Sequence, residues 1–135
     1  MKKIIIAGLL VGGVFLFLHI LGLYLIRFTL PGIAVQYFDP AFDAQSDRFV
    51  FYCIHPFVLS MSLSWFWSRL KGVLAGSFLT RGIEFGLIYV MVATFPMLWL
   101  IYSSMSVSLL IVSTWLILAL VEAVVAGLIL EYMNP

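Results

Sequence analysis

The chain has 135 residues, of which 64% are hydrophobic and only 10% are charged, and its mean hydropathy is +1.20. Soluble domains carry about 45–50% apolar and about 25% charged residues, so this composition excludes a soluble enzyme and a secreted disulfide scaffold. A net charge of +1 without a long basic block gives no reason to expect binding to nucleic acid. Four bilayer-spanning helices need about 80 apolar positions, which is close to the whole apolar content of the chain. The composition therefore predicts an all-α integral membrane protein, a four-transmembrane-helix bundle that forms one domain over residues 1–135.

The first apolar run covers residues 4–26, follows two lysines and ends before Arg27. It exceeds the ~7–15-residue core of a signal peptide, so it predicts a retained span rather than a cleaved leader. The polar residues 27–48 predict an outer loop. Within that loop, Asp39 before Pro40 predicts a short interfacial helix near residues 40–47. Three aspartates spaced by four would line one face of this helix, as a solvated face or as a cation site: Asp39, Asp43 and Asp47.

The remaining spans are predicted at residues 49–68, 82–102 and 108–131. The uncharged stretch 85–121 is too long for one crossing of a ~30 Å hydrocarbon core, so the chain has to turn within it. The serines between residues 103 and 108 are the predicted turn, because a serine side chain can cap a helix end.

Basic residues are distributed unequally between the two sides of the predicted spans. Five lie on the side that carries both termini and two lie on the other: Lys2, Lys3, Arg69, Lys71 and Arg81 against Arg27 and Arg48. The positive-inside rule therefore predicts that both termini are cytoplasmic. We expect a multi-pass protein of the bacterial inner membrane.

Small residues at helical spacing predict the faces through which the spans pack, because lipid-embedded helices associate where backbones can approach closely. These residues are Gly8, Gly12 and Gly22 in the first span, Ser60 and Ser64 in the second, Gly82 and Gly86 in the third, and Ala119 and Ala126 in the fourth. The second span has a further face that carries His55. We therefore expect self-association or contact with other membrane-protein subunits, in addition to the lipid bilayer.

Three ionisable side chains lie well inside the predicted spans, where such groups are costly and are functional candidates by default: His19, His55 and Glu122. At ~1.5 Å per residue, both histidines lie about 6 Å to the outer side of the midplane, and Glu122 lies on the other side. A difference in depth of about 10 Å predicts no direct bond between Glu122 and either histidine. Glu84 lies one turn from Arg81, which is its expected partner.

Three functions remain open from the residues alone. The first is a non-enzymatic accessory or structural subunit that packs against itself or other membrane proteins. The second is a small oligomeric proton-coupled transporter or channel that uses Glu122. The alternative interpretation of Glu122 is a permanently protonated carboxyl whose hydrogen bond only joins two helices. The third is a two-histidine b-type haem subunit that uses His19 and His55 as axial ligands. The alternative interpretation is that both histidines have only a structural role. No catalytic residue, metal site or required cofactor is predicted.

Overall fold

The computed structural model describes residues 2–37 and 49–134, which are helical apart from short connections. The helices are α1 (Lys2–Thr29), α2 (Pro31–Tyr37), α3 (Phe49–Leu70), α4 (Phe78–Tyr89), α5 (Phe95–Ser104) and α6 (Leu109–Met133), and a π-helical segment (Val90–Thr94) joins α4 to α5. Four helical stretches are long and apolar enough to cross a membrane: α1, α3, Phe78–Ser104 and α6. For the described residues, the prediction of an all-α chain with four helices long and apolar enough to span a membrane is confirmed. The helix predicted near residues 40–47 and its three aspartates lie outside the described residues.

Part of the predicted outer loop is helical. Leu30 interrupts the helix because the residue before a proline is disfavoured in the α conformation, and Pro31 then begins α2. The hydroxyl of Tyr37 lies 2.7 Å from that of Thr114, and the hydroxyl of Ser108 donates to Gln36 Oε1 at 2.7 Å. These contacts fix α2 against the first turns of α6.

The third and fourth spans are joined at the predicted serine turn. α5 ends at Ser104, and the Ser108 side chain caps α6 by accepting a hydrogen bond from the Ile111 amide at 3.3 Å. The third span begins at Phe78 rather than at the predicted residue 82, because Ser77 caps α4 by accepting from the Thr80 amide. Within this span Pro96 lacks an amide hydrogen, and the backbone just before it widens so that the Phe95 amide donates to the Val90 carbonyl.

The spans form two closely packed antiparallel pairs, α1 with α3 and α4 with α6, and α1 packs on α6 to join the pairs. Glycines bring the backbones together within each pair. A Cβ atom added at Gly12 would lie 2.8 Å from Ser60 Oγ, and one added at Gly86 would lie 2.8 Å from the Val124 amide nitrogen. Neither position has room for a side chain, so the close packing of both helix pairs requires glycine there.

The other small residues singled out in the sequence occupy interfaces of different tightness. Ser60, Ser64 and Ala126 are fully buried, and the Ser64 hydroxyl donates to the Ile4 carbonyl of α1 at 2.8 Å. Gly8 faces Met61 and Gly82 faces Leu128 at distances that exclude a methyl group. Two positions are packed less closely. A Cβ atom added at Gly22 would lie 3.8 Å from the Leu118 side chain, which is an ordinary contact, and Ala119 is only half-buried.

A polar cluster joins α3, α4 and α6 at the end of the bundle that carries Lys2 and Asn134, here called the basic end. Arg81 donates to Glu131 at 2.6 Å and to the Lys71 carbonyl at 2.9 Å, and the Trp67 indole donates to the Asn134 carbonyl at 2.9 Å. The expected pairing of Arg81 with Glu84 is wrong. Arg81 precedes Gly82 on the face of α4 that meets α6, whereas Glu84 is exposed on another face.

Candidate functional site

His19 of α1 and Glu122 of α6 are in direct contact inside the bundle. His19 Nδ1 lies 2.9 Å from Glu122 Oε1 and 3.0 Å from the Phe15 carbonyl oxygen. The Glu122 side chain is 7% exposed and that of His19 is 23% exposed. The prediction that Glu122 bonds to neither histidine is therefore wrong for His19.

Helix geometry explains why counting residues overestimated the separation of these two side chains. Side chains on a helix lean toward its N-terminus. Because α1 and α6 are antiparallel, the His19 side chain leans toward the basic end while the Glu122 side chain leans away from it, so the two approach each other. In addition, α6 extends to Met133, which places Glu122 one residue from the middle of that helix. The two corrections bring the groups within bonding distance.

The contacts of Nδ1 determine where the His19 ring carries its fixed hydrogen. A backbone carbonyl only accepts hydrogen bonds, so the contact with Phe15 requires a hydrogen on Nδ1. This N–H is directed at the Phe15 carbonyl, and Glu122 Oε1, although 2.9 Å from the same nitrogen, accepts no hydrogen bond from the described residues. The other ring nitrogen, Nε2, is then the atom at which the ring gains or loses a proton. His19 and Glu122 together form a site with two positions for an exchangeable proton, Nε2 and the carboxylate.

Two tyrosines of the other spans lie near enough to Glu122 for its charge to act on them, Tyr52 of α3 and Tyr89 of α4. Tyr52 is 48% exposed, and neither hydroxyl donates to Glu122 Oε1, which has no hydrogen-bond partner among the described residues. Each of the four spans thus contributes one ionisable side chain, and we call the set of His19, Tyr52, Tyr89 and Glu122 the four-helix polar layer. Tyr37 of α2, whose hydroxyl lies 2.7 Å from that of Thr114, is a further polar side chain toward the end opposite the basic end.

The second predicted histidine lies apart from this layer. His55 is exposed on α3 and makes no hydrogen bond to any residue in the described ranges. Gly8 faces Met61 and Gly12 faces Phe57, so His55 is level with residue 14 of α1, about 7 Å in depth from His19. The backbones of the two histidines are therefore offset, while their side chains lean toward each other because α1 and α3 are antiparallel, and their matching depth stays a prediction.

The two-histidine haem hypothesis stays a prediction. His19 Nδ1 faces Glu122 and the Phe15 carbonyl, which leaves Nε2 as the nitrogen able to ligate iron, and His55 is exposed on α3. Within residues 2–37 and 49–134, no group of three or more histidine, cysteine or acidic side chains is placed to hold a metal ion.

Comparison of this chain with protein-family models, with curated proteins and with solved structures finds no match. Its function is therefore inferred from the four-helix polar layer and from the surfaces that the bundle presents.

Proposed function

We propose that the chain is a small proton-coupled membrane transporter or channel in which the His19–Glu122 pair binds and releases the proton. The observation that supports this proposal is the 2.9 Å contact between His19 Nδ1 and Glu122 Oε1 near the middle of a predicted span. Ionisable side chains inside a membrane are rare and mark proton or ion pathways in many pumps and transporters. Here two such groups share one site.

Further polar side chains lie on both sides of the pair along the bundle. Tyr37 contacts Thr114 toward one end. Toward the basic end, α6 carries a second buried carboxylate, Glu131, about 13 Å further along the same helix and ion-paired with Arg81. His19 is the more exposed member of the pair, so we propose that protons reach the pair along its exposed edge and that copies of the chain assemble around that edge.

Proton flux into liposomes tests this proposal. The purified chain is reconstituted into liposomes that contain a pH-sensitive dye, and a membrane potential is imposed with potassium and valinomycin. We expect the internal pH to change faster than in protein-free liposomes prepared in parallel. Equal rates in the two preparations would contradict the proposal.

We infer that the protein lies in a bacterial inner membrane with its basic end in the cytoplasm. The described basic residues of that end are Lys2, Lys3, Arg69, Lys71 and Arg81, against Arg27 at the other end. This asymmetry supports the orientation through the positive-inside rule. A cysteine introduced by Val73→Cys in a Cys53→Ser background is expected to react with a membrane-impermeant maleimide in inverted vesicles. Equal labelling in intact cells would contradict this orientation.

A second candidate function is that of an accessory subunit bound to another membrane protein, and the exposure of His55 favours it. His55 lies about 7 Å from the middle of α3 and points away from the bundle. An imidazole facing hydrocarbon lacks hydrogen-bond partners, and contact with a neighbouring subunit would supply them.

We expect that purification in mild detergent yields a stoichiometric partner protein and that His55→Leu abolishes its recovery. The matched control is Val58→Leu, which changes another exposed residue one turn along α3. Both variants should elute as folded protein, because neither side chain is buried. Recovery of the same partner with His55→Leu, or of none with the wild type, would contradict the accessory function.

A further inference from the structure

An apolar groove separates α3 from the middle of the third span. It has a volume of about 590 Å³, and its walls include Leu59, Trp65, Phe66, Tyr89, Val92 and Ala93. We call it the α3–α4 groove. The Ser62 hydroxyl at its edge donates to the Val58 carbonyl of its own helix at 3.0 Å, so that hydroxyl hydrogen is already engaged. The groove therefore suits a hydrocarbon ligand.

The end of the α3–α4 groove that is nearest the basic end carries a cation. Trp65 lines the groove there, and the guanidinium carbon of Arg69 lies 5.6 Å from the centre of the Trp65 ring. Arg69 is exposed and forms no ion pair with any residue of the described ranges. It differs in this respect from Arg81, which binds Glu131. Since α3 ends at Leu70, Arg69 lies at the depth of the lipid headgroups, where tryptophan and arginine are common in membrane proteins.

We propose that the α3–α4 groove binds one acyl chain of an anionic phospholipid whose phosphate contacts Arg69. The apolar walls match the acyl chain and the unpaired guanidinium matches a negative headgroup. The groove extends along α3 from Leu59 to Phe66, or about 10 Å. The open, apolar groove and the cation at its headgroup end together commit the site to an acyl chain with an anionic headgroup.

Lipid titration followed by native mass spectrometry tests this proposal independently of proton transport. The detergent-solubilised protein is titrated with dioleoyl phosphatidylglycerol and, separately, with dioleoyl phosphatidylcholine. We expect one retained phosphatidylglycerol per chain and a preference of about fivefold over phosphatidylcholine, the size of effect that one basic residue near a headgroup produces. Arg69→Gln should remove this preference. The control Lys3→Gln removes an exposed charge from the same end of the bundle, away from the groove, and should preserve it.

A second variant tests the acyl-chain site itself. Ala93 is exposed in the groove wall, so Ala93→Leu should fill part of the volume without disturbing the buried core. We expect it to reduce the binding of both lipids. Equal binding of the two lipids by the wild type, or an unchanged preference in Arg69→Gln, would overturn the proposal. A mass spectrum that shows a lipid-free dimer instead of a lipid-bound chain would also overturn it.

Discussion

Replacing Glu122 with glutamine should lower proton flux into liposomes to the rate seen without protein. Glutamine preserves the size of the side chain and its ability to hydrogen bond, but it cannot release a proton. Glu84→Gln is the matched control, because Glu84 is an exposed carboxylate of another span that makes no ion pair with the described residues. We expect Glu84→Gln to retain the wild-type flux.

The alternative to a transport role is that Glu122 only holds α1 against α6. The Nδ1–H of His19 is donated to the Phe15 carbonyl and not to Glu122, and glutamine has the size of glutamate, so the helix contact and the thermal stability should change little. Loss of flux at unchanged thermal stability would therefore identify a proton-binding role. Wild-type flux in a folded Glu122→Gln protein would show that the pair does not carry the transported proton.

Replacing Gly127 with alanine should destabilise the bundle by about 1–3 kcal/mol, the usual cost of forcing an extra carbon into a closely packed interface. A Cβ atom at Gly127 would collide with the Gly82 carbonyl oxygen of α4, which is backbone and cannot rotate away. Equilibrium unfolding in mixed micelles of mild detergent and dodecyl sulfate measures the change in the free energy of unfolding.

Gly13→Ala is the control for the Gly127 substitution. Gly13 is also a helical glycine in a membrane-spanning helix, but a Cβ atom added there would meet nothing within 4 Å. Alanine is the better helix former of the two residues, so Gly13→Ala should not lower the stability. Equal losses for the two variants would contradict the packing of α4 on α6 described here.

The number of spans and the position of the turn between the last two could be predicted, because hydrophobic length and serine caps are properties of single segments. The tight positions at Gly82 and Gly86 were also singled out from spacing on one helix. Gly127 was not, because the stripe through Ala119 and Ala126 runs beside it and nothing within α6 alone shows that Gly82 lies opposite. Pairing the glycines of antiparallel neighbours would have given the missing signal.

The polar contacts were harder to predict, because they depend on how separate helices are offset and on how side chains lean. Arg81 was matched with the nearest carboxylate in the sequence, yet its partner is Glu131, fifty residues away. His19 and Glu122 were separated by a count of backbone rise that ignored the lean of each side chain toward its own N-terminus. With that lean included, the opposed directions of α1 and α6 predict an approach of these residues.

The central claim is that His19 and Glu122 form one proton-exchanging site, and infrared difference spectroscopy of the reconstituted protein over a pH titration tests it most directly. The claim predicts a protonated-carboxyl band that is absent in Glu122→Gln and that changes over the same pH interval as an imidazole band absent in His19→Gln. Each substitution should also shift the band of the remaining partner. A Glu122 carboxyl band that stays constant across the interval in which His19 titrates, or that is unaffected by His19→Gln, would contradict the claim.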